Sequence, residues 1–238
     1  MISVILPVFN RVETISCSIF HLLECVEVSE ILIADGGSID GTVEAIEAIT
    51  DERIQIVSRT DRGIYEGANK AIAIASGQFL WFMNSDDFGS PDYAAAAAQT
   101  LMNEPGTDFV FGNITYGSKL VRPRLLTREH SVWQYMPFPH VSLIIRRSTH
   151  QRCLGGYDEA RAIGGDLDYV NRLLKSGLKG SFINLPAAQC APGGISTSCR
   201  QIWEARSIAI QQGKPKLKAT FFALAVFFRR VWVARFDK

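Results

Sequence analysis

Residues 78–87 read QFLWFMNSDD, and this stretch decides the fold. The bulky apolar run Gln78–Met83 is a strand in pattern, and Asn84-Ser85-Asp86-Asp87 stands where it ends. Before it, Tyr65–Ala75 is helical in pattern and stops near Gly77, and Ile54–Val57 is a short strand. Earlier still, Asp40-Gly41-Thr42 can start a helix with Val43, Ile46 and Ile49 inward. Glu30–Ala34 (EILIA) is a strand broken by Asp35-Gly36-Gly37-Ser38. Thr14–Val26 carries Ile15, Ile19, Leu22, Leu23 and Val26 at the spacing of a helix with one buried face, and Ile2–Val8 is a β-branched strand. QFLWFM is thus the fourth strand of a βαβαβαβ order. That order predicts an α/β, Rossmann-like fold: a mainly parallel central sheet flanked by helices.

Downstream, Pro91–Met102 is an Ala-rich helix with Pro91 suited to its first turn. Asp108–Asn113 and Val141–Ile145 are expected strands, Gly165–Lys175 a helix, and 186–199, rich in Pro, Gly, Ser and Cys, a loop. The only soft boundary falls near residue 200. We therefore expect one domain over 1–199 and a helical tail over 200–238.

Composition narrows the function classes. The 238 residues are 47% hydrophobic and 21% charged, which excludes a disordered chain. Twenty-five basic against 24 acidic residues leave +1, so the chain is no nucleic-acid polycation. The charge is divided: the stretch from Arg200 onward carries nine basic and two acidic residues, set against an acidic body. Five scattered cysteines lack CxxC pairing, which suits idle thiols in a reducing cytoplasm rather than disulfides or zinc. The N-terminus has no basic region ahead of its apolar run, and no segment reaches the ~18 apolar residues of a membrane span.

In parallel sheets ligands bind beyond the carboxyl ends of the strands. Asn10, Asp35 and Asp86 all stand at such ends. Asp35 is either a hydrogen-bond acceptor for a ligand or an ordinary turn residue. Asp86 and Asp87 offer adjacent carboxylates, and Mg²⁺ is commonly held by one or two carboxylates plus substrate phosphates. Asp166 and Asp168 open a helix, where acids are favoured by its dipole. Alternatively, one of them is a general base. Residues two apart share no helix face, so Asp166 is the candidate and Asp168 an orienting neighbour. His140, just before an apolar strand, is either structural or an acceptor-side group. Gly193-Gly194-Ile195-Ser196 offers backbone N–H groups to a phosphate, or is a plain turn.

In order, SVILPVFN, ADGGSIDGT, DRGIYEGANKAIAIASG, NSDD, GGYDE and GGDLDY resemble the family 2 glycosyltransferases with the GT-A fold, and GGIS extends the likeness. The bacterial branch that builds exopolysaccharide, O-antigen or colanic-acid-type repeat units is the most similar. The resemblance implies that Pro7, Val8 and Asn10 line a nucleotide pocket and that Asp35 contacts its base, usually uracil. It places Asp61, Gly63, Asn69 and Lys70 beside the nucleotide and its phosphates, with Ser85 and Asp86 in the metal-binding DxD position. It makes Asp166 the catalytic base and leaves Asp87, Asp168 and His140 as acceptor-side or supporting groups. The implied activity is inverting, non-processive transfer from a nucleotide-diphosphate sugar, expected to be a UDP-sugar, with Mg²⁺ or Mn²⁺ as cofactor. The implied acceptor is a glycan or a lipid-linked sugar.

Three departures stand out: Asn84 replaces the first DxD acid, Gly165 replaces the Glu before the base, and the second-strand turn reads Asp35-Gly36-Gly37-Ser38. No Gln/Arg-x-x-Arg-Trp motif of processive synthases occurs. A sugar nucleotidyltransferase is disfavoured because no Gly-rich basic loop follows the first strand. A binding protein that has lost turnover is the other rival.

Lys214–Lys238 mixes Lys and Arg with Phe221, Phe222, Phe227, Phe228 and Trp232, without one clean apolar face. Its uncharged run, Ala219–Phe228, suits a helix lying on an anionic membrane surface, and the alternative is a helix docked on the domain or on a second copy. The expected location is cytoplasmic, peripheral on the inner face of the plasma membrane.

Overall fold

The computed structural model describes residues 1–58, 60–123, 136–191 and 199–236. The first half follows the expected order: β1 (Ile2–Val8), α1 (Ile15–Leu23), β2 (Val28–Asp35), α2 (Thr42–Glu47), β3 (Ile54–Ser58), α3 (Ile64–Ile74) and β4 (Phe79–Phe82). These four strands are parallel, in the order β3-β2-β1-β4. Alternation along β1 divides the core between two layers. Val4, Leu6 and Val8 pack with Ile15, Ile19 and Leu22 of α1, while Ile5 packs with Ala68, Ala71 and Ile72 of α3.

The rest of the chain makes the sheet mixed. It supplies β5 (Phe88–Gly89), α4 (Pro91–Asn103), β6 (Phe109–Tyr116), β7 (Lys119–Val121), β8 (Ile144–Arg146), α5 (Arg147–Cys153), α6 (Gly165–Lys175) and β9 (Gly180–Cys190). β8 lies antiparallel between β4 and β6, β9 is parallel to β6, and β5 is antiparallel to β9.

Three sequence expectations need correction. The first helix ends at Leu23, so Val26, expected on its buried face, lies beyond it and is exposed. Val141–Ile145 is not one strand, because His140–Ser142 forms a 3₁₀ turn and pairing begins at Ile144. The turn is held by the N–H and hydroxyl of Ser142, both donating to the carbonyl of Pro139. Nor is 186–199 all loop, since β9 continues to Cys190. Pro186 is tolerated because it falls at a break in register with β6, where no regular ladder bond is required of it.

The tail folds as α7 (Cys199–Gln211) and α8 (Lys216–Phe236), joined through Gly213 at φ 87°. Ile202, Ile208 and Ala209 of α7 are buried, as are Ala219 and Ala223 of α8. Among the described residues no helix is long and apolar enough to cross a membrane.

Candidate active site

β1 and β2 run in register to Val8 and Asp35, and the loops after β1, β2 and β4 leave the same edge of the sheet together with the start of α3. Asn10 sits at φ 49°, a left-handed conformation that Asn tolerates better than most residues. Its N–H donates to Ser38 Oγ (2.8 Å), and its Oδ1 accepts from the N–H of Ile39 (3.0 Å). Asp35 closes the same turn, accepting the N–H groups of Gly37 (2.9 Å) and Ser38 (3.0 Å) and the Ser38 hydroxyl (2.5 Å). Its buried carboxylate thus fixes the glycine turn beside Pro7 and Val8.

The loop after β4 is pinned from two sides. The hydroxyls of Thr14 and Ser18 on α1 both donate to the Ser85 carbonyl (3.1 Å each). Asp87 is buried and accepts from Asn84 Nδ2 (2.7 Å) and from the N–H of Ala191 (3.3 Å). Burial raises its pKa to about 6. Asn84 therefore has a local reason to be an amide: it donates to Asp87, where a second carboxylate would repel it. Asp86 is left as the open acid, partly exposed, with Arg11 Nε 4.0 Å away.

This donor set, among the described residues, fits a divalent cation that brings ligands of its own. Among the described residues no group of three or more His, Cys, Asp or Glu could hold an ion. A cation that keeps water and phosphate ligands needs only one or two carboxylates, and Asp86 is available for that.

Across the start of α3, Lys70 Nζ lies 2.6 Å from Asp61 Oδ1 and 3.3 Å from Glu66, with the extended Gly63 between Asp61 and the helix. Gly67 makes this possible: a Cβ there would stand 2.5 Å from Asp61 Oδ2. Asn69 instead clasps the GGYDE loop. It donates to the Tyr157 carbonyl and to Glu159 (3.0 Å each) and accepts from the N–H of Tyr157 (2.8 Å).

Asp166 opens α6 beside Tyr65. The Tyr65 hydroxyl donates to the Ile163 carbonyl and accepts from the N–H of Asp166 (3.3 Å). Asp166 Oδ1 accepts from the N–H of Leu167 (2.7 Å). Burial dominates its environment and pushes its pKa up to about 6, with the charge of Glu204 acting in the same direction. Gly165 is now explicable, since a Cβ there would lie 2.6 Å from the ring of Tyr65. A glutamate side chain has no room where the tyrosine packs.

Asp168 points elsewhere, pairing with Arg172 Nε (2.8 Å). The same guanidinium donates to the carbonyls of Leu154 and Gly156, so Asp168 braces the loop ahead of Tyr157. His140 Nε2 meets the Tyr157 hydroxyl (2.8 Å), and its ring packs near Phe82 and Tyr169. Burial lowers its pKa to about 4, so it is neutral at physiological pH. The Gly193–Ser196 motif lies outside the described residues.

Asn10, Asp35 and Asp86 therefore stand on one edge of the sheet. Asp166 is tied by its N–H to Tyr65 at the start of α3, the helix that follows β3. Sequence reasoning missed Arg11, Tyr65, Tyr157 and Glu204. Tyr65 and Tyr157 lie inside quoted motifs, but Glu204 carries no signal of its own.

The sequence profile of Glycosyl transferase family 2 matches residues 3–156, well over half of the chain. An uncharacterised glycosyltransferase, YfnE of Bacillus subtilis, is 36% identical over 106 residues, covering 43% of this chain and 27% of its own length. A PGL/p-HBAD biosynthesis glycosyltransferase of Mycobacterium bovis is 29% identical over 121 residues, covering 48% and 46%. The chain thus spans from about a quarter to half the length of these curated relatives. Among solved structures, S. aureus TarS 1-349 in complex with UDP-GlcNAc superposes with a TM-score of 0.73 at 18% identity, covering 96% of this chain and 72% of that one. A mannosyltransferase of Pyrobaculum calidifontis, in complex with GDP-Man and Mn²⁺, gives 0.67 at 22% identity, covering 93% and 69%. At these identities the likeness shows the fold alone.

Proposed function

The chain belongs to glycosyl transferase family 2, and from that premise we propose that it moves single sugars from a UDP-sugar to a hydroxyl, with inversion at the sugar's C1. The observation that carries this reading is Asp166: a carboxyl raised to about 6 by burial, whose N–H is held by Tyr65 at the start of α3. A base with a pKa near the working pH combines ionisation with proton affinity, which is what deprotonating an alcohol requires. Asp166 Oδ1 is engaged by Leu167, so Oδ2 is the atom assigned to receive the acceptor's proton. The alcohol then attacks C1 from the face opposite the leaving diphosphate.

A divalent cation, Mg²⁺ or Mn²⁺, held by Asp86 would supply positive charge to the departing diphosphate. Arg11 and the pinned Ser85 loop orient Asp86 towards that end of the donor. Pro7, Val8, Asn10 and the turn fixed by Asp35 form the side that receives the base. Asp61, Gly63, Asn69 and Lys70 hold the start of α3 and the 157–159 loop against the nucleotide.

The donor class is open to a direct test, a panel of UDP-, GDP- and dTDP-sugars scanned for thermal stabilisation with Mn²⁺. The largest rise in melting temperature is expected from a UDP-sugar, because a ligand bound only to the folded state stabilises it. A larger rise with GDP-mannose than with any UDP-sugar would transfer the assignment to guanine.

We assign the acceptor to a glycan or lipid-linked sugar of cell-surface polysaccharide synthesis, reached at an anionic membrane surface on the cytoplasmic side. Leu217, Phe221, Leu224 and Phe228 are exposed on α8 at spacings of four, three and four residues. They form a single apolar stripe, with Lys214, Lys216 and Lys218 at its start. The side chain of Trp232 lies outside the described residues. Deleting 214–238 should abolish co-sedimentation with phosphatidylserine-containing vesicles, and a full-length protein that never sediments with them would remove the membrane from this reading.

A further inference from the structure

Glu204 lies on α7, about forty residues beyond the loop that precedes Asp166, and it appears in none of the motifs. Its carboxylate nevertheless accepts three consecutive backbone N–H groups of that loop: Ala162 (3.3 Å), Ile163 (3.0 Å) and Gly164 (2.8 Å). On its other side the same loop is tied to Tyr65, which holds the Ile163 carbonyl and the N–H of Asp166. Ile208 and Glu204 stand so close to Gly164 that a Cβ there would be 3.1 Å from one and 3.3 Å from the other. We propose that Glu204 is a positioning residue, through which the first tail helix sets the place of Asp166. This rests on Asp166 being the base.

Three N–H groups converging on one carboxylate form a charge-assisted cradle that stays intact while Glu204 is ionised. Those bonds hold its pKa below the usual carboxylate range despite partial burial, so its negative charge persists at working pH. Other ionisable groups facing Asp166 are Tyr65 on α3 and Tyr157 in the GGYDE loop. On its own helix, Asp168 and Arg172 neutralise each other. Arg200 Nε, 3.1 Å from Glu204, is the countercharge on α7. Glu204 is thus the unlike element: a second anion held close enough to raise the Asp166 pKa, without a bond to it. The tail carries part of the catalytic geometry in this arrangement.

The test does not need the acceptor. In the full-length protein, ¹³C NMR of labelled aspartates, assigned with Asp166→Asn, reads the Asp166 midpoint directly. Exchange of the Ala162, Ile163 and Gly164 amides reads the cradle. Glu204→Gln keeps the shape and removes the charge, so the midpoint should fall by roughly half a pH unit or more. Amide exchange should quicken at least about tenfold. UDP release from UDP-GlcNAc should lose turnover with little change in donor KM. Arg200→Gln, at an exposed position, should move the midpoint upwards and keeps the proposal testable should Glu204→Gln fail to fold. Unchanged midpoint and unchanged amide exchange in Glu204→Gln, or no upward movement in Arg200→Gln, overturn the role of Glu204 and leave the base assignment standing. Full turnover in Asp166→Asn would instead remove the base itself, and the positioning role with it.

Discussion

Asp166→Asn should lose about 10²–10⁴-fold in turnover while binding the donor as before, because positioned proton transfer contributes that much. This corresponds to about 3–5 kcal/mol of activation free energy. Donor affinity by calorimetry should stay within a factor of a few, since Asp166 is assigned to the acceptor and not to the nucleotide. In the wild type, turnover should fall as the pH drops below about 6, where the carboxyl takes up its proton and can no longer act as a base. Asp87 is raised to about the same value, so Asp87→Asn should retain this acid limb if Asp166 is its source. The same burial has a consequence for stability. The folded pKa of Asp166 lies above its unfolded value of about 3.9, so ionising it favours unfolding. The penalty is absent below about pH 4 and grows as the pH rises through about 6. Asp166→Asn should therefore be more stable than wild type at pH 8, by on the order of 2 kcal/mol, and nearly equal to it at pH 4. Undiminished turnover in this variant would sink the assignment of the base.

Asp86→Ala should lose metal-dependent donor binding. Among the described residues Asp86 is the open carboxylate of its loop, because Asp87 is buried against Asn84 and Ala191. Outer-shell partners of metal sites typically contribute about 10–100-fold to affinity, and a direct ligand should contribute no less. UDP-sugar binding measured with and without Mn²⁺ should show a wild-type difference of that order that disappears in Asp86→Ala. The fold should survive, since Asp86 is partly exposed and its pair with Arg11, at 4.0 Å, contributes little. A metal effect that persists undiminished would show that the cation is held elsewhere.

The parallel half of the sheet was legible because β-branched and aromatic runs alternate there with helix-spaced apolar residues. The common edge was legible too, since Asn10, Asp35 and Asp86 each follow a strand. β9 was not, for a physical reason: a strand containing Pro186 survives only because its register slips there, and a slip is a property of the partner strand. The 3₁₀ turn at His140–Ser142 likewise depends on the Pro139 carbonyl and not on apolar pattern. Near Asp166 the sequence offered a base and an unexplained glycine. What explains Gly165 is the ring of Tyr65, a hundred residues earlier, and no local pattern encodes that contact. Glu204 was invisible for the same reason, because three backbone donors leave no trace in side-chain spacing.

The far edge of the sheet sets an order of events during synthesis. Phe88 and Gly89 come only a few residues after the fourth strand, yet they pair with Gln189 and Ala188, about a hundred residues later. While the ribosome adds those residues, the early strands can already assemble, but this short segment has no mate. Distant closures of this kind are slow, and the nascent chain should spend that interval with Phe88 and the neighbouring apolar surface open to chaperones.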